Sequence, residues 1–299
     1  MAAAAGRGTT MGRGDGVVTD AACPTFSAGG LESRHRTIQA MRPGQGKPRM
    51  KPRRLGQTGM EVSPLGFGAF KIGRNQGTKY AADYELPGDE QVNTLVAGLL
   101  AMGVTLCDTA PAYGCSESRL GQVLDQYDAS PVVSTKVGEE FLNGQSTYDY
   151  SEESTRRSVI RSCERLHREM LDVVLVHSHG DDLSILRETT VVRTLQALKD
   201  EGRIRAVGFS GKTVEGAKAA LEWADVLMVE YHAEDRSHHD VISAASDRGV
   251  GVLVKKGLAS GRLPADEAIA FVLGHPGVSS LVIGTLSLDH FAANIEAVE

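Results

Sequence analysis

The strongest constraint on this chain is a repeated pattern. From Arg54 onward, short runs of β-branched and other apolar residues alternate with longer stretches of helical periodicity, eight times over. The runs that read as strands are Pro64–Gly68, Val104–Asp108, Val132–Lys136, Val173–His177, Ala206–Ser210, Val226–Tyr231, Gly251–Lys256 and Leu281–Gly284. The amphipathic stretches between them, Asp89–Met102, Glu117–Gln126, Glu152–His167, Leu186–Glu201, Val214–Trp223, His239–Arg248 and Ala265–Gly274, predict helices, and Leu288–Val298 predicts the last. Runs that are apolar almost throughout suit parallel strands covered on both faces. Eight strand–helix units in about 245 residues match the count and size of an α/β fold of the (β/α)8, or TIM, barrel type. A doubly wound sheet would instead predict GxGxxG after the first strand. "LGFGAFKIG" carries Gly66, Gly68 and Gly73, the last of them two residues late. Ahead of the first strand, "RRLGQTGMEVSP" predicts a hairpin turning at Gln57–Gly59, placed to plug the barrel bottom.

Residues 1–50 are Ala/Gly-rich without periodicity and too poor in apolar residues to build a core. They read as a disordered tail, with the barrel over 51–299. Charge divides similarly: residues 1–54 carry a net +7 and the remainder −13, within a total of −6. An acidic body argues against nucleic acid as a partner. No run reaches the ~18 apolar residues of a membrane span, so no membrane partner is expected. Four scattered cysteines, Cys23, Cys107, Cys115 and Cys163, make neither a disulfide framework nor a CxxC zinc pair, and point to a cytoplasmic setting.

In a barrel of this kind chemistry gathers where strands end. Three consecutive strands each end on an acidic or basic residue and carry none before it: Asp108, Lys136 and His177. Neighbouring strands lie about 4.8 Å apart, so Asp108 can pair with Lys136, and Tyr113 from the loop above can lean towards His177. Burial alone would discharge both Lys136 and Asp108, but paired they stay charged. A cation beside Tyr113 is expected to lower the phenol from its usual pKa of about 10, which suits a general acid.

Those residues carry a likeness. "DTAPAYG", "STKVG", "LVHSHG" and "VIGTLSLDHFAANI" resemble the aldo-keto reductases, and the resemblance runs from about Arg54 to Val298. It implies a barrel that binds NADP(H), with NAD(H) as the alternative, and reduces a small-molecule carbonyl by hydride from the nicotinamide and a proton from Tyr113. In that scheme Lys136 tunes Tyr113, Asp108 anchors Lys136, and His177 orients the carbonyl. The cofactor would meet the loops after strands seven and eight, "KKGLASG" and "GTLSLDHFAAN". Ser210, Lys255, Leu258, Ser260, Gly284, Thr285, Ser287, His290 and Asn294 are the candidate contacts, Thr285 and Ser287 for phosphates and Asn294 for adenine. Ser287 also reads as an ordinary N-cap.

The cradle departs from the family pattern at four places. Gly211 stands where an Asn often follows Ser210, Met228 where a Gln is common, Lys255 where a Tyr stacks on the nicotinamide, and His290 where an Arg meets a 2′-phosphate. Alternation allows only one of Lys255 and Lys256 to face inward. On the substrate side, Tyr80, Tyr84, Phe141, Tyr148 and Tyr150 could line a pocket or pack their own loops. Two other functions fit parts of the pattern. A barrel that binds NADPH and reports its state would explain the altered cradle. A metal-dependent hydrolase would use His177 and His179 of "HSHGDD", but leaves Tyr113 and Lys136 without a purpose.

Overall fold

Each parallel strand of this chain is followed by a crossover that returns it to the same end, and the eight strands close on themselves. The computed structural model describes residues 50–77, 84–127 and 129–298; residues 1–49 of the predicted disordered tail and Tyr80 lie outside them, whereas Met50, read with the tail, is buried in the core. The barrel strands are β1 (Leu65–Gly68), β2 (Leu106–Asp108), β3 (Val132–Val137), β4 (Leu171–His177), β5 (Ile204–Ser210), β6 (Val226–Glu230), β7 (Gly251–Lys255) and β8 (Ser280–Ile283). They pair in chain order, and β8 returns to β1 through Leu281↔Leu65, Val282↔Gly66 and Ile283↔Phe67. Around them run α1 (Asp89–Ala101), α2 (Ser116–Gln126), α3 (Glu152–Leu166), α4 (Asp182–Glu188), α5 (Val191–Asp200), α6 (Val214–Ala220), α7 (His239–Asp247), α8 (Ala265–Leu273) and α9 (Leu288–Glu296). No described helix is long and apolar enough to cross a membrane.

Strand alternation divides the buried side chains into two cores. Outward-facing residues such as Phe67, Cys107, Val133, Val174 and Val207 meet the helices. Their partners repeat at helical spacing, as Val191, Thr194, Leu195 and Leu198 do on α5. Inward-facing residues Leu106, Val173, Leu175, Ala206, Val226, Met228 and Leu253 fill the barrel, joined from below by Leu55, Met60 and Val62. These last three belong to the expected hairpin, whose Arg53–Arg54 and Glu61–Val62 pair antiparallel. Gly56 and Gly59 take positive φ in its turn, and Leu55 N–H donates to the Met60 carbonyl at 2.9 Å. Arg53 ties the hairpin to the far end of the chain, donating to the carbonyls of Val278 and Leu273 at 2.9 and 3.0 Å.

Three local features differ from the sequence expectation. The single helix expected over Leu186–Glu201 is two, α4 and α5. Thr189 between them is extended (φ −107°, ψ 175°), and its hydroxyl donates to the Ile185 carbonyl at 2.7 Å while accepting from Val191 N–H at 3.4 Å. A threonine that bonds its own backbone in this way competes with the helix. The helix expected from Glu117 begins one residue earlier, at Ser116, whose hydroxyl donates to the Ala69 carbonyl at 2.8 Å and so joins the loops after β1 and β2. The loop after β3 holds a hairpin, Glu139–Leu142 with Gln145–Tyr148. Asn143 and Gly144 form its turn with φ of 52° and 80°, the geometry that lets a two-residue connection follow the natural strand twist.

Candidate active site

The same alternation that sends Leu106, Leu175 and Leu253 inward sends Asp108, His177 and Lys255 inward two residues later. The barrel interior therefore ends in a polar layer at the C-terminal ends of the strands. In that layer the Lys136 ammonium is almost wholly buried, at 1 % exposure. It donates to both Asp108 oxygens, at 2.8 and 2.9 Å, and to the Thr109 carbonyl at 2.8 Å. It also lies 4.7 Å from the centre of the Tyr113 ring. The Tyr113 ring meets Phe70 edge-on at 5.0 Å and His177 edge-on at 6.0 Å. Asp108, Tyr113, Lys136 and His177 are thus brought together, as the strand ends predict.

The electrostatics correct one expectation. Burial pushes the Tyr113 phenol up to about 12, and the pull of Lys136 in the opposite direction does not overcome it. Tyr113 accordingly holds its proton at neutral pH, the state a proton donor needs. Burial also works against the charge on Lys136, but the adjoining Asp108 and then Tyr113 outweigh it and raise that lysine above its ordinary value.

The sequence reading missed Glu139. Its Oε2 lies 2.8 Å from His177 Nδ1, and its Oε1 accepts from the Ser146 hydroxyl at 2.7 Å. Burial works against ionising it, but His177 and Ser146 more than compensate and hold its carboxyl at about 2. The signal was present in "NG" at Asn143–Gly144, the strongest short-range hairpin marker, which folds the acid back over the mouth.

Across the mouth the surroundings change. Lys255 faces inward from β7, where its ammonium donates to the Ser210 hydroxyl at 3.0 Å and the Gly211 carbonyl at 2.8 Å. Burial first, then the nearby Lys256 and Lys136, pull it down to about 7. Lys256 pairs with Glu230 instead. Gly211 has no room for a side chain: a Cβ there would stand 2.4 Å from the Phe209 ring and 2.8 Å from Asp182 Oδ2. That crowding accounts for glycine where the family pattern has Asn. Met228 is buried among the interior residues.

Beyond β8, Ser287 caps α9 by accepting from His290 N–H at 3.2 Å. The Thr285 hydroxyl accepts from Ser287 N–H at 3.0 Å. Thr285 and Asn294 are buried, whereas Gly284 and His290 are exposed. In the loop after β7, Leu258 packs partly against the helix-side core, and Ala259 and Ser260 adopt positive φ of 48° and 61°. This half of the mouth fits a dinucleotide in chemical terms: small residues at Gly68 and Gly284, one cation, and a capped helix start for an anion.

The remaining candidates are occupied elsewhere. Asp182, of the possible metal motif, accepts from Lys212 N–H, Thr213 N–H and the Thr213 hydroxyl at 2.7–2.8 Å. His179 packs against the rings of Tyr148 and Tyr150. Tyr150 donates to the His177 carbonyl at 2.8 Å, Tyr84 donates to the Arg74 carbonyl, and Phe141 lies beneath the Arg74 guanidinium at 3.3 Å. Most of the aromatic residues therefore brace their own loops.

Comparison with known proteins agrees with this geometry. The chain is 28% identical over 292 residues to L-galactose dehydrogenase of Arabidopsis thaliana, spanning 82% of this chain and 87% of that protein. It is 27% identical over 237 residues to the NADH-specific methylglyoxal reductase of Escherichia coli, spanning 73% and 71%. Among solved structures, a Pseudomonas aeruginosa protein assigned as an aldo-keto reductase superposes with a TM-score of 0.75 at 43% identity, covering 83% of this chain and 93% of that one. The holo form of an aldo-keto reductase from Bacillus halodurans gives 0.71 at 25%, covering 84% and 91%. The profile described as the Aldo/keto reductase family matches residues 64–267, and the chain belongs to that family of oxidoreductases.

Proposed function

We propose that this protein interconverts an aldehyde or ketone and its alcohol with a nicotinamide dinucleotide, NADP(H) in the first place, and that Tyr113 is the proton donor in reduction. The observation that carries the reading is the buried Lys136, held by Asp108 at 2.8 Å and set 4.7 Å from the Tyr113 ring. A lysine this buried would lose its charge without a partner, and its position gives that charge an effect on the phenol. When bound, the reduced nicotinamide supplies the hydride. Tyr113 donates its proton to the substrate oxygen as negative charge develops there, and Lys136 stabilises the phenolate left behind. Asp108 keeps the ammonium charged and fixed in place. His177 forms the opposite wall against the same oxygen.

The dinucleotide would lie over the other half of the mouth. Ser210 and Lys255 would meet its nicotinamide end; Leu258, Ser260, Gly284, Thr285, Ser287, His290 and Asn294 would meet its phosphates and adenosine. The names of the relatives, a sugar dehydrogenase and a methylglyoxal reductase, favour small polar carbonyl compounds and their alcohols.

The test is a fluorescence titration with NADPH and with NADH, followed by turnover on a panel of aldehydes and sugars. Binding with turnover is expected. Binding without turnover would favour the sensor reading, and no binding of either dinucleotide would refute both. In Tyr113→Phe, turnover should fall by about 10²–10⁴-fold with cofactor affinity unchanged; turnover at the parental rate would mean that another group donates the proton.

A further inference from the structure

Lys255 is an inward-facing cation of the mouth with no acid beside it. Among the described residues its ammonium forms no ion pair, and it donates to the Ser210 hydroxyl at 3.0 Å and the Gly211 carbonyl at 2.8 Å. Its side chain is partly exposed and so borders the opening. The acids that face it are engaged elsewhere. Glu230 of β6 pairs with Lys256, and Asp182 of α4 accepts from the Ser178 hydroxyl and the backbone N–H groups of Lys212 and Thr213. The other cations near it are Lys256 on its own strand and Lys136 on β3, which holds Asp108. The imidazoles of His177, at the end of β4, and His238, before α7, feel the Lys255 charge in turn; burial is the main reason both lie below the ordinary histidine value.

A carbonyl whose oxygen accepts from Tyr113 must have its carbon within hydride reach of the nicotinamide, about 3–3.5 Å. The ring therefore has to enter the opening that Tyr113 and His177 bound on one side and β7 on the other. The oxidised ring is a cation and the reduced ring is neutral, whereas the phosphates and adenosine are the same in both. An ammonium beside the ring repels one form of the dinucleotide and tolerates the other. We infer that Lys255 is a specificity residue that reads the redox state of the dinucleotide, its ammonium accepting the reduced form and turning away the oxidised form. Loss of the Lys255 proton removes the discrimination, and burial, then Lys256 and Lys136, bring that loss to about pH 7. The mouth thus favours NADPH in acid, the condition for carbonyl reduction, and admits NADP+ once the amine is neutral. The inference rests on the proposed function for the presence and orientation of the dinucleotide.

Calorimetric titration of the full chain with NADPH and with NADP+ gives the ratio of their dissociation constants without any turnover, and the shared phosphates cancel in that ratio. With Lys255 at about 7, roughly one tenth of the amine is neutral at pH 6 and nearly all of it at pH 8.5. The ratio of Kd for NADP+ to Kd for NADPH should therefore be about tenfold larger at pH 6. At pH 7, NADP+ should release about half a proton more than NADPH on binding, read from the dependence of the heat on the ionisation enthalpy of the buffer. Lys255→Met should abolish both the pH dependence and the extra proton. Lys255→Arg, charged throughout, should keep the ratio high at both pH values. A ratio that is the same at pH 6 and pH 8.5 in the parent protein, or a pH dependence that survives in Lys255→Met, would overturn the inference. Failure of the proposed function would appear differently, as binding of neither dinucleotide at either pH, and would take the inference with it.

Discussion

Lys136 and Lys255 face the same barrel mouth from strands four apart, and their surroundings drive them in opposite directions. Lys136 sits on a carboxylate and is raised above its ordinary value; Lys255 sits on a hydroxyl and a carbonyl and falls to about 7. Burial opposes the charge of both. The difference shows that the partner, and not depth in the protein, decides whether a lysine is a permanent cation here. It also divides the mouth by purpose. The half between β2 and β4 is locked by the charge pair of Lys136 with Asp108, and Glu139 stands 2.8 Å from His177 beside it. The half between β5 and β8 is made of small residues and one lysine whose charge is adjustable.

Removing the lock should have the largest effect on stability. Asp108→Ala places Lys136 in a setting like that of Lys255, and leaving a buried charge unpaired is expected to cost about 3–5 kcal/mol in urea denaturation. A cost under about 1 kcal/mol would mean that the two lysines differ for some other reason. On the opposite half, Gly211→Ala tests whether crowding forces the departure from Asn. A methyl 2.4 Å from the Phe209 ring should cost about 1–3 kcal/mol, and a neutral effect would show that the loop yields.

A further effect concerns Lys255 itself. Its folded pKa, about 7, lies below its ordinary value of 10.5, so the unfolded chain binds the extra proton in between. Stability from this group should therefore rise with pH from about 7 towards 10.5. Melting temperatures of Lys255→Met, compared with the parent at pH 7 and pH 9.5, should lack that part of the rise. Identical pH slopes would remove the contrast between the two lysines.

The barrel was legible because its period is written redundantly: eight apolar runs, each interrupted before a helical stretch. Asp108, Lys136 and His177 were legible because each is the ionisable residue at the end of a strand, where alternation turns it inward. What escaped depended on contacts across the chain. Glu139 reaches His177 only because Asn143–Gly144 reverses the loop. The break between α4 and α5 depends on a threonine hydroxyl bonding its own backbone. The net shift of Tyr113 depends on how far burial exceeds the pull of one ammonium, a balance that spacing cannot express. Gly211 became intelligible only once the Phe209 ring and Asp182 were seen to fill the space of a side chain.

The seam between β1 and β8 has a consequence in time. Leu65 pairs with Leu281, Gln57 N–H donates to the Gly249 carbonyl at 2.7 Å, and Arg53 reaches the Val278 carbonyl. The earliest folded residues thus wait for the last. As the chain leaves the ribosome, β1 presents an unpaired edge until β8 has been made, so the cylinder can be sealed only after β8 has emerged. Contacts at such separation slow folding and leave open strand edges available to neighbouring chains meanwhile.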